Sequence, residues 1–268
     1  MNIPYWHVDA FAGRPFAGNQ AAVMVLDEWL PDAVLQAIGE ENNFAETAFL
    51  VRDASDAADW ELRWFTPQME IRLCGHATLA SGHVLLDPAN GFGSTDRVTF
   101  RTRKAGILEV RRSDAGYEVA LPTIATQASA WPEAVALLGA VPVEVWRSDD
   151  RYGIYLFDSE ATVRGLDPDL RALGNLGDDQ FICTAPGART DVVSRVFVPG
   201  GGVDEDSVTG SAHAALTPFW AEKLGRNGFT AYQASARGGD LTCRLDGELA
   251  WLGGQCVTVV EGRFYLPG

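Results

Sequence analysis

Two stretches hold residue types that could do proton chemistry on a small acid. Leu73 to His83 reads L-C-G-H-A-T-L-A-S-G-H, and Gly202 to Leu216 reads G-V-D-E-D-S-V-T-G-S-A-H-A-A-L. Each sets glycine, small and hydroxyl residues where a helix can begin. The first backbone N–H groups there lack partners and sit at the positive end of the helix dipole. Such a start attracts an anion. Gly75 and His76 in one stretch, and Gly210 and Ser211 in the other, are therefore candidate substrate-binding positions. Asp206, nearest the second glycine, is placed to orient a substrate or a histidine, whereas Asp204 and Glu205 need only complement the dipole. A first-turn position also disfavours the His76 cation and predicts a neutral ring.

Glu46 is the third chemical feature. It stands in A-E-T-A-F-L, where a strand should run. A carboxylate in an apolar strand is expensive unless it faces water or is needed where it is, so both an edge position and a base remain open. His7 and His83 read as packing residues. His213, one turn into its helix, could cap its neighbours or touch a ligand.

The two helix starts belong to an internal repeat. R-W-F-T-P at 63–67 precedes the first and R-V-F-V-P at 195–199 precedes the second. Pro67 to Gly75 is 8 positions and Pro199 to Gly210 is 11, so the second copy carries a 3-residue insertion, read here as part of the acidic loop. A strand–loop–helix unit used twice implies two related halves. The first half is expected over residues 1–121, joined by the last strand at about 257–268, and the second over 122–256. The polar run T-I-A-T-Q-A-S-A at 123–130 is the linker candidate.

The elements that must position these residues follow from pattern. Alternation marks strands at residues 4–11, 60–66, 98–101, 107–111 and 118–121, with a turn at Asp114-Ala115-Gly116, and a short apolar run marks 23–26. A helix is expected over 31–38 with Gly39 as its C-cap, and another over 75–86. In the second half, helices are expected over 131–138 and 167–173. Strands are expected at 153–157, 181–183, 192–198, 241–245, 250–252, 257–260 and 264–266. The helix from Gly210 should kink or break at Pro218, after about two turns. Each half is strand-rich with one principal helix. The expected fold is therefore α+β, with two pseudo-symmetric domains, each a β-barrel-like curled sheet around a central helix.

Composition narrows the function classes. The chain has 268 residues, 47% hydrophobic and 21% charged, as expected of a globular protein. Its net charge of −15 argues against nucleic acid and anionic membrane surfaces as partners, and no apolar run is long enough to span a bilayer. The N-terminal residues lack the order of a signal peptide, which makes the cytoplasm the expected location. Four cysteines without C-x-x-C spacing argue for reduced thiols rather than a disulfide scaffold or a zinc site. Dinucleotide and P-loop motifs are missing, and T-G-S-A-H lacks the second glycine of a serine-hydrolase elbow. A two-thiol racemase would need a cysteine opposite Cys74, where the repeat puts Thr209.

Taken together, D-A-F at 9–11, G-N-Q-A-A-V at 18–23, A-E-T-A-F at 45–49, L-C-G-H-A-T at 73–78 and V-D-E-D-S-V-T-G-S-A-H at 203–213 are specific. Through them the chain resembles the PhzF family, phenazine-biosynthesis-like proteins related in fold to diaminopimelate epimerase. The resemblance implies a homodimeric isomerase with no metal or organic cofactor, acting on a small carboxylate-bearing substrate. It implies Glu46 as general acid/base, and His76, Asp206 and Ser211 as substrate-holding groups. Backbone N–H groups at Gly75 and Gly210 would help bind the carboxylate. Ser207 stands where the family usually has proline, which should loosen the loop beside Asp206.

Overall fold

Four parallel strand pairs among the described residues dictate where the helices that connect them must lie, because a parallel pair needs a long crossover. The computed structural model describes residues 1–93, 95–114 and 116–267. Ala115, in the turn expected at 114–116, and Gly268, in the last-strand segment, lie outside the described residues. The chain divides into two compact units, Met1–Ala120 with Gly253–Gly268, and Leu121–Leu252.

The first unit runs β1 (Asn2–Ala10), β2 (Asn19–Val25), α1 (Asp32–Asn42), β3 (Glu46–Arg52), β4 (Trp60–Phe65), β5 (Glu70–Ile71) and α2 (Gly75–Leu86). It continues with β6 (Arg97–Thr102), β7 (Ile107–Ser113) and β8 (Gly116–Pro122). Strands β2 and β3 are parallel, with α1 as their crossover, and β4 and β6 are parallel, with α2 as theirs. Helix α2, G-H-A-T-L-A-S-G-H-V-L-L, is buried at every residue but His83. It touches β1, β2, β3, β6 and β7, so the sheet curls around it. Only small side chains allow that enclosure: a Cβ on Gly82 would overlap Val110 Cγ1 and lie 2.6 Å from Val110 Cβ.

The second unit repeats the plan. It contains β9 (Gln127–Ala128), α3 (Pro132–Val135), β10 (Glu144–Arg147), β11 (Tyr152–Leu156), α4 (Glu160–Arg164), α5 (Leu170–Gly174), β12 (Gln180–Pro186) and β13 (Val192–Val198). Then follow β14 (Val203–Asp206), α6 (Gly210–Leu224), β15 (Gly228–Gln233), β16 (Gly239–Asp246) and β17 (Leu249–Gly254). The final strand, β18 (Cys256–Tyr265), returns to pair with β1. The parallel pairs are now β11/β12 and β13/β15, crossed by α4–α5 and by α6. Tyr155, Phe157, Phe181 and Phe197 form the apolar core with Ala134, Leu138, Val163 and Leu173. The fold is thus α+β, one curled-sheet plan used twice.

The repeat holds in register. Thr47 faces Phe65 as Phe181 faces Phe197, and Phe49 faces Arg63 as Cys183 faces Arg195. Phe65 pairs Glu70 as Phe197 pairs Glu205. The extra residues of the second copy consequently fall at a 3-10 turn, Pro199–Gly201, and its exit, before the acidic residues that pair with β13.

Local signals mislead in several places. Gly39 lies inside α1, which ends at Asn43 in the left-handed conformation with φ 50°. Gly39 is needed for packing, since a Cβ there would meet Phe65 Cβ and the Thr66 carbonyl oxygen, each at 3.2 Å. Pro218 does not end α6, which runs for 15 residues from Gly210 to Leu224. The carbonyl that proline leaves without a helical donor, Ala214 O, receives the N–H of Ile124 at 3.5 Å instead. The acidic run is a strand rather than a loop, and the polar 123–130 stretch contains β9, which pairs with β10. Residues 257–260 and 264–266 belong to one strand, and α3 is shorter than expected at Pro132–Val135. Strands β10 and β15 and helix α4 were not legible from pattern.

Gly82→Ala is expected to lower stability by about 1–3 kcal/mol through overpacking against Val110. Gly228→Ala is the control, because a Cβ there meets nothing within 4 Å. Urea midpoints measure the contrast, and equal midpoints would refute the close approach.

Candidate active site

Glu46 is the first residue of β3, opposite Ala21 of β2. His76 is the second residue of α2, and the path into that helix is set by Arg63. Its Nε and Nη2 donate to the two Glu70 oxygens at 2.8 Å each, and Nη2 also reaches Asp32 at 2.9 Å. Burial opposes the Arg63 charge, but Glu70 and Asp32 more than restore it and hold its pKa above the ordinary value. The clamp ties β4 to β5, and β5 leads into α2 four residues later.

The result is a buried pair. His76 is 4% exposed, and its Nε2 lies 2.8 Å from Glu46 Oε2. Its Nδ1 lies 3.1 Å from Asn19 Nδ2 and 3.5 Å from Cys74 Sγ. Glu46 does not face water as an edge residue, since its side chain is 15% exposed. Burial works against the His76 proton, but the Cys74 sulfur and the Glu46 carboxylate outweigh it and raise the pKa well above the ordinary imidazole value. Burial pushes the Cys74 thiol up to about 11, so at neutral pH it is uncharged. The neutral ring expected from the helix start is therefore corrected: a carboxylate in contact overrides a partial dipole charge. Donor atoms of Glu46, Cys74 and His76 all lie within 4.8 Å of one another. A thiol, an imidazole and a carboxylate could gather a divalent ion such as zinc.

In the second unit the same clamp recurs, with Arg195 Nε and Nη2 on the Glu205 carboxylate at 2.8 and 3.0 Å. Glu205 thus holds an arginine rather than serving the α6 dipole, while Asp204 is exposed. Asp206 Oδ2 accepts the Thr209 hydroxyl at 2.6 Å. Gln233, fully buried, accepts the Thr209 N–H at 2.8 Å and donates to the Asp206 carbonyl at 2.7 Å. Ser235 Oγ donates to the Ser207 carbonyl at 2.6 Å. The loop that serine was expected to loosen is pinned from β15 and the residues after it. Ser211 Oγ receives Gln180 Nε2 at 3.4 Å. Neither α2 nor α6 has a side chain capping its start.

His213 takes the capping alternative. It is fully buried, with Nδ1 2.8 Å from Thr209 O and Nε2 3.4 Å from Ser194 Oγ. His7 lies 3.1 Å from Gln20 Nε2, and His83 lies 2.9 Å from Thr258 Oγ1. The structure therefore brings Glu46, Gly75 and His76 together in the first unit, and Asp206, Gly210 and Ser211 in the second. Asn19, Gln180 and Gln233 were missed as site residues. Asn19 and Gln233 sit on strands distant in sequence from what they hold.

A curled sheet wrapped twice around an uncapped helix is the racemase-like fold. It is shared with a probable proline racemase from Agrobacterium radiobacter, at TM-score 0.63 and 11% identity over 99% of this chain and 93% of that one. At that identity the likeness is one of fold alone. Within this class, the family model described as phenazine biosynthesis-like protein matches residues 8–262, and the chain belongs to that family. A crystal structure of a PhzF family protein from Enterococcus faecalis is similar at TM-score 0.91 and 40% identity, covering 99% of this chain and 100% of that one. An uncharacterized isomerase from Pseudomonas aeruginosa is 45% identical over 99% of this chain and 100% of its own length. Among the described residues no helix is long and apolar enough to cross a membrane.

Burial lowers the His213 pKa to about 4. Between about 4 and 6.5 the unfolded chain binds a proton that the folded one refuses, so stability is full above that window and falls as pH drops through it, by about 3 kcal/mol. His213→Thr, which installs the residue found at the matching position Thr78, is expected to flatten the pH dependence of urea unfolding across the window. An unchanged slope would refute the buried neutral ring.

Proposed function

We propose that this chain is an isomerase that moves a proton on a small unsaturated carboxylate, with Glu46 as the acid/base. The observation that carries the reading is the contact of 2.8 Å between Glu46 Oε2 and the buried His76 Nε2. A protonated His76 holds the carboxylate in place through that ion pair. Glu46 removes a proton from carbon beside the unsaturated system and returns it at another carbon of the same system. Such transfer requires a positioned base more than a strong one.

Substrate-binding roles fall to Gly75 and His76 in the first unit and to Asp206, Gly210 and Ser211 in the second. The uncapped helix starts offer N–H donors to a carboxylate. A two-thiol racemase finds less support. Cys74 stands at the N-cap of α2, but its counterpart Thr209 has its hydroxyl committed to Asp206.

Glu46→Gln keeps a hydrogen-bonding side chain of nearly the same shape and removes the base. In deuterium oxide, the chain is expected to exchange protons of β,γ-unsaturated carboxylic acids, and Glu46→Gln to slow that exchange by about 100-fold or more. NMR of the acids reads the rate, and undiminished exchange would overturn the assignment. Asp206→Asn frees the Thr209 hydroxyl from its charged acceptor and is expected to raise KM more than it lowers kcat. A loss confined to kcat would count against a binding role.

A further inference from the structure

We propose that Glu46, Cys74 and His76 form a site for one divalent ion of the zinc class, and that the bound ion shuts off proton transfer. The second clause rests on the isomerase reading; the binding does not. All three residues belong to the first unit, and their donor atoms lie within 4.8 Å of one another. Glu46 Oε2 carries the argument. It is buried and receives no hydrogen bond from any described residue, although His76 Nε2 stands 2.8 Å away. The imidazole N–H is not aimed at this oxygen, and the two atoms stand side by side, as two ligands of one ion do. Cys74 Sγ lies 3.9 Å from the same nitrogen. Tetrahedral zinc with ordinary bond lengths separates nitrogen from oxygen by about 3.3 Å and nitrogen from sulfur by about 3.5 Å. Each spacing here departs from that by about 0.5 Å or less, within reach of small side-chain shifts. A buried carboxylate oxygen without a donor is costly, and a cation bonded to it removes that cost.

Imidazole, thiolate and carboxylate are the donor types zinc takes, and three protein ligands leave a fourth position for water or a ligand's carboxylate. Asn19 Nδ2 stands 3.1 Å from the ring's other nitrogen and orients it, as outer partners of metal-bound histidines do. Glu46 keeps 15% of its side chain exposed, which gives a hydrated ion its way in. On binding, bonds form from Oε2, Sγ and Nε2 to the ion. The protons on sulfur and on that nitrogen pass to the solvent, and nothing is oxidised or reduced. The ion then occupies the oxygen lone pair with which Glu46 would take a substrate proton. The second unit keeps the frame without the donors. Gln180 opens β12 and precedes Phe181, which faces Phe197, as Glu46 opens β3 and precedes Thr47, which faces Phe65. Gln180, Thr209 and Ser211 stand at the positions of Glu46, Cys74 and His76, and an amide with two hydroxyls is no zinc site. One ion per chain is expected.

The test uses the reduced full chain and cobalt(II), a spectroscopic substitute for zinc. Cobalt is expected to raise a thiolate-to-metal charge-transfer band in the near ultraviolet, together with the visible bands of a tetrahedral ion. Both should saturate at one ion per chain and vanish when zinc is added. Cys74→Ser should lose the charge-transfer band, and His76→Gln should weaken cobalt binding by about 10-fold or more. Cys74→Ala replaces the serine variant if that one does not fold. Zinc is expected to stop deuterium exchange by the unaltered chain, and Cys74→Ser to need about 10-fold more zinc for the same fractional loss. Absence of the band, its persistence in Cys74→Ser, or undiminished exchange at saturating zinc would each overturn the inference. The band reads binding alone. Undiminished exchange by Glu46→Gln, with the cobalt band lost only in Cys74→Ser, would sink the acid/base reading and leave the metal site standing.

Discussion

The arginine–glutamate clamp is the constraint on which both halves of this protein depend. Arg63 grips Glu70 and Arg195 grips Glu205, each through two parallel hydrogen bonds from Nε and Nη2. A bidentate pair of this kind fixes direction as well as distance. Each clamp binds the end of a long strand to a short strand that leads into the central helix. The helix start is thereby held at a set place under the first residue of a neighbouring strand. Glu46 over His76 and Gln180 over Ser211 are consequences of that placement.

Enclosure of the helix supplies the second half of the argument. A helix buried on nearly all sides has no solvent face on which to place polar groups. Polar residues that remain on α2 and α6 must be satisfied internally or used. Thr78 and Ser81 return their hydroxyls to carbonyls one turn back, and in α6 the Thr217 hydroxyl and the His213 Nδ1 do likewise. His76 is different, because its ring meets a carboxylate, that of Glu46, while His213 meets only a carbonyl and a hydroxyl.

The two units have diverged in charge while keeping their geometry. The first presents a carboxylate, an imidazole and a neutral thiol; the second presents an amide, a hydroxyl and an aspartate bonded to threonine.

The sequence by itself determined the repeat, the two helix starts, the fold class and the candidate residues Glu46, Gly75, His76, Asp206, Gly210 and Ser211. Periodicity, glycine position and motif order are local properties, and they survive folding unchanged. It could not determine the charge of His76, since a carboxylate 30 residues away decides that by contact. Nor could it show that Pro218 would be accommodated, that Glu205 would hold Arg195, or that Gln180 would stand where Glu46 does. Those depend on strand register and on partners distant in the chain, and only the tertiary structure brings such partners within hydrogen-bonding distance.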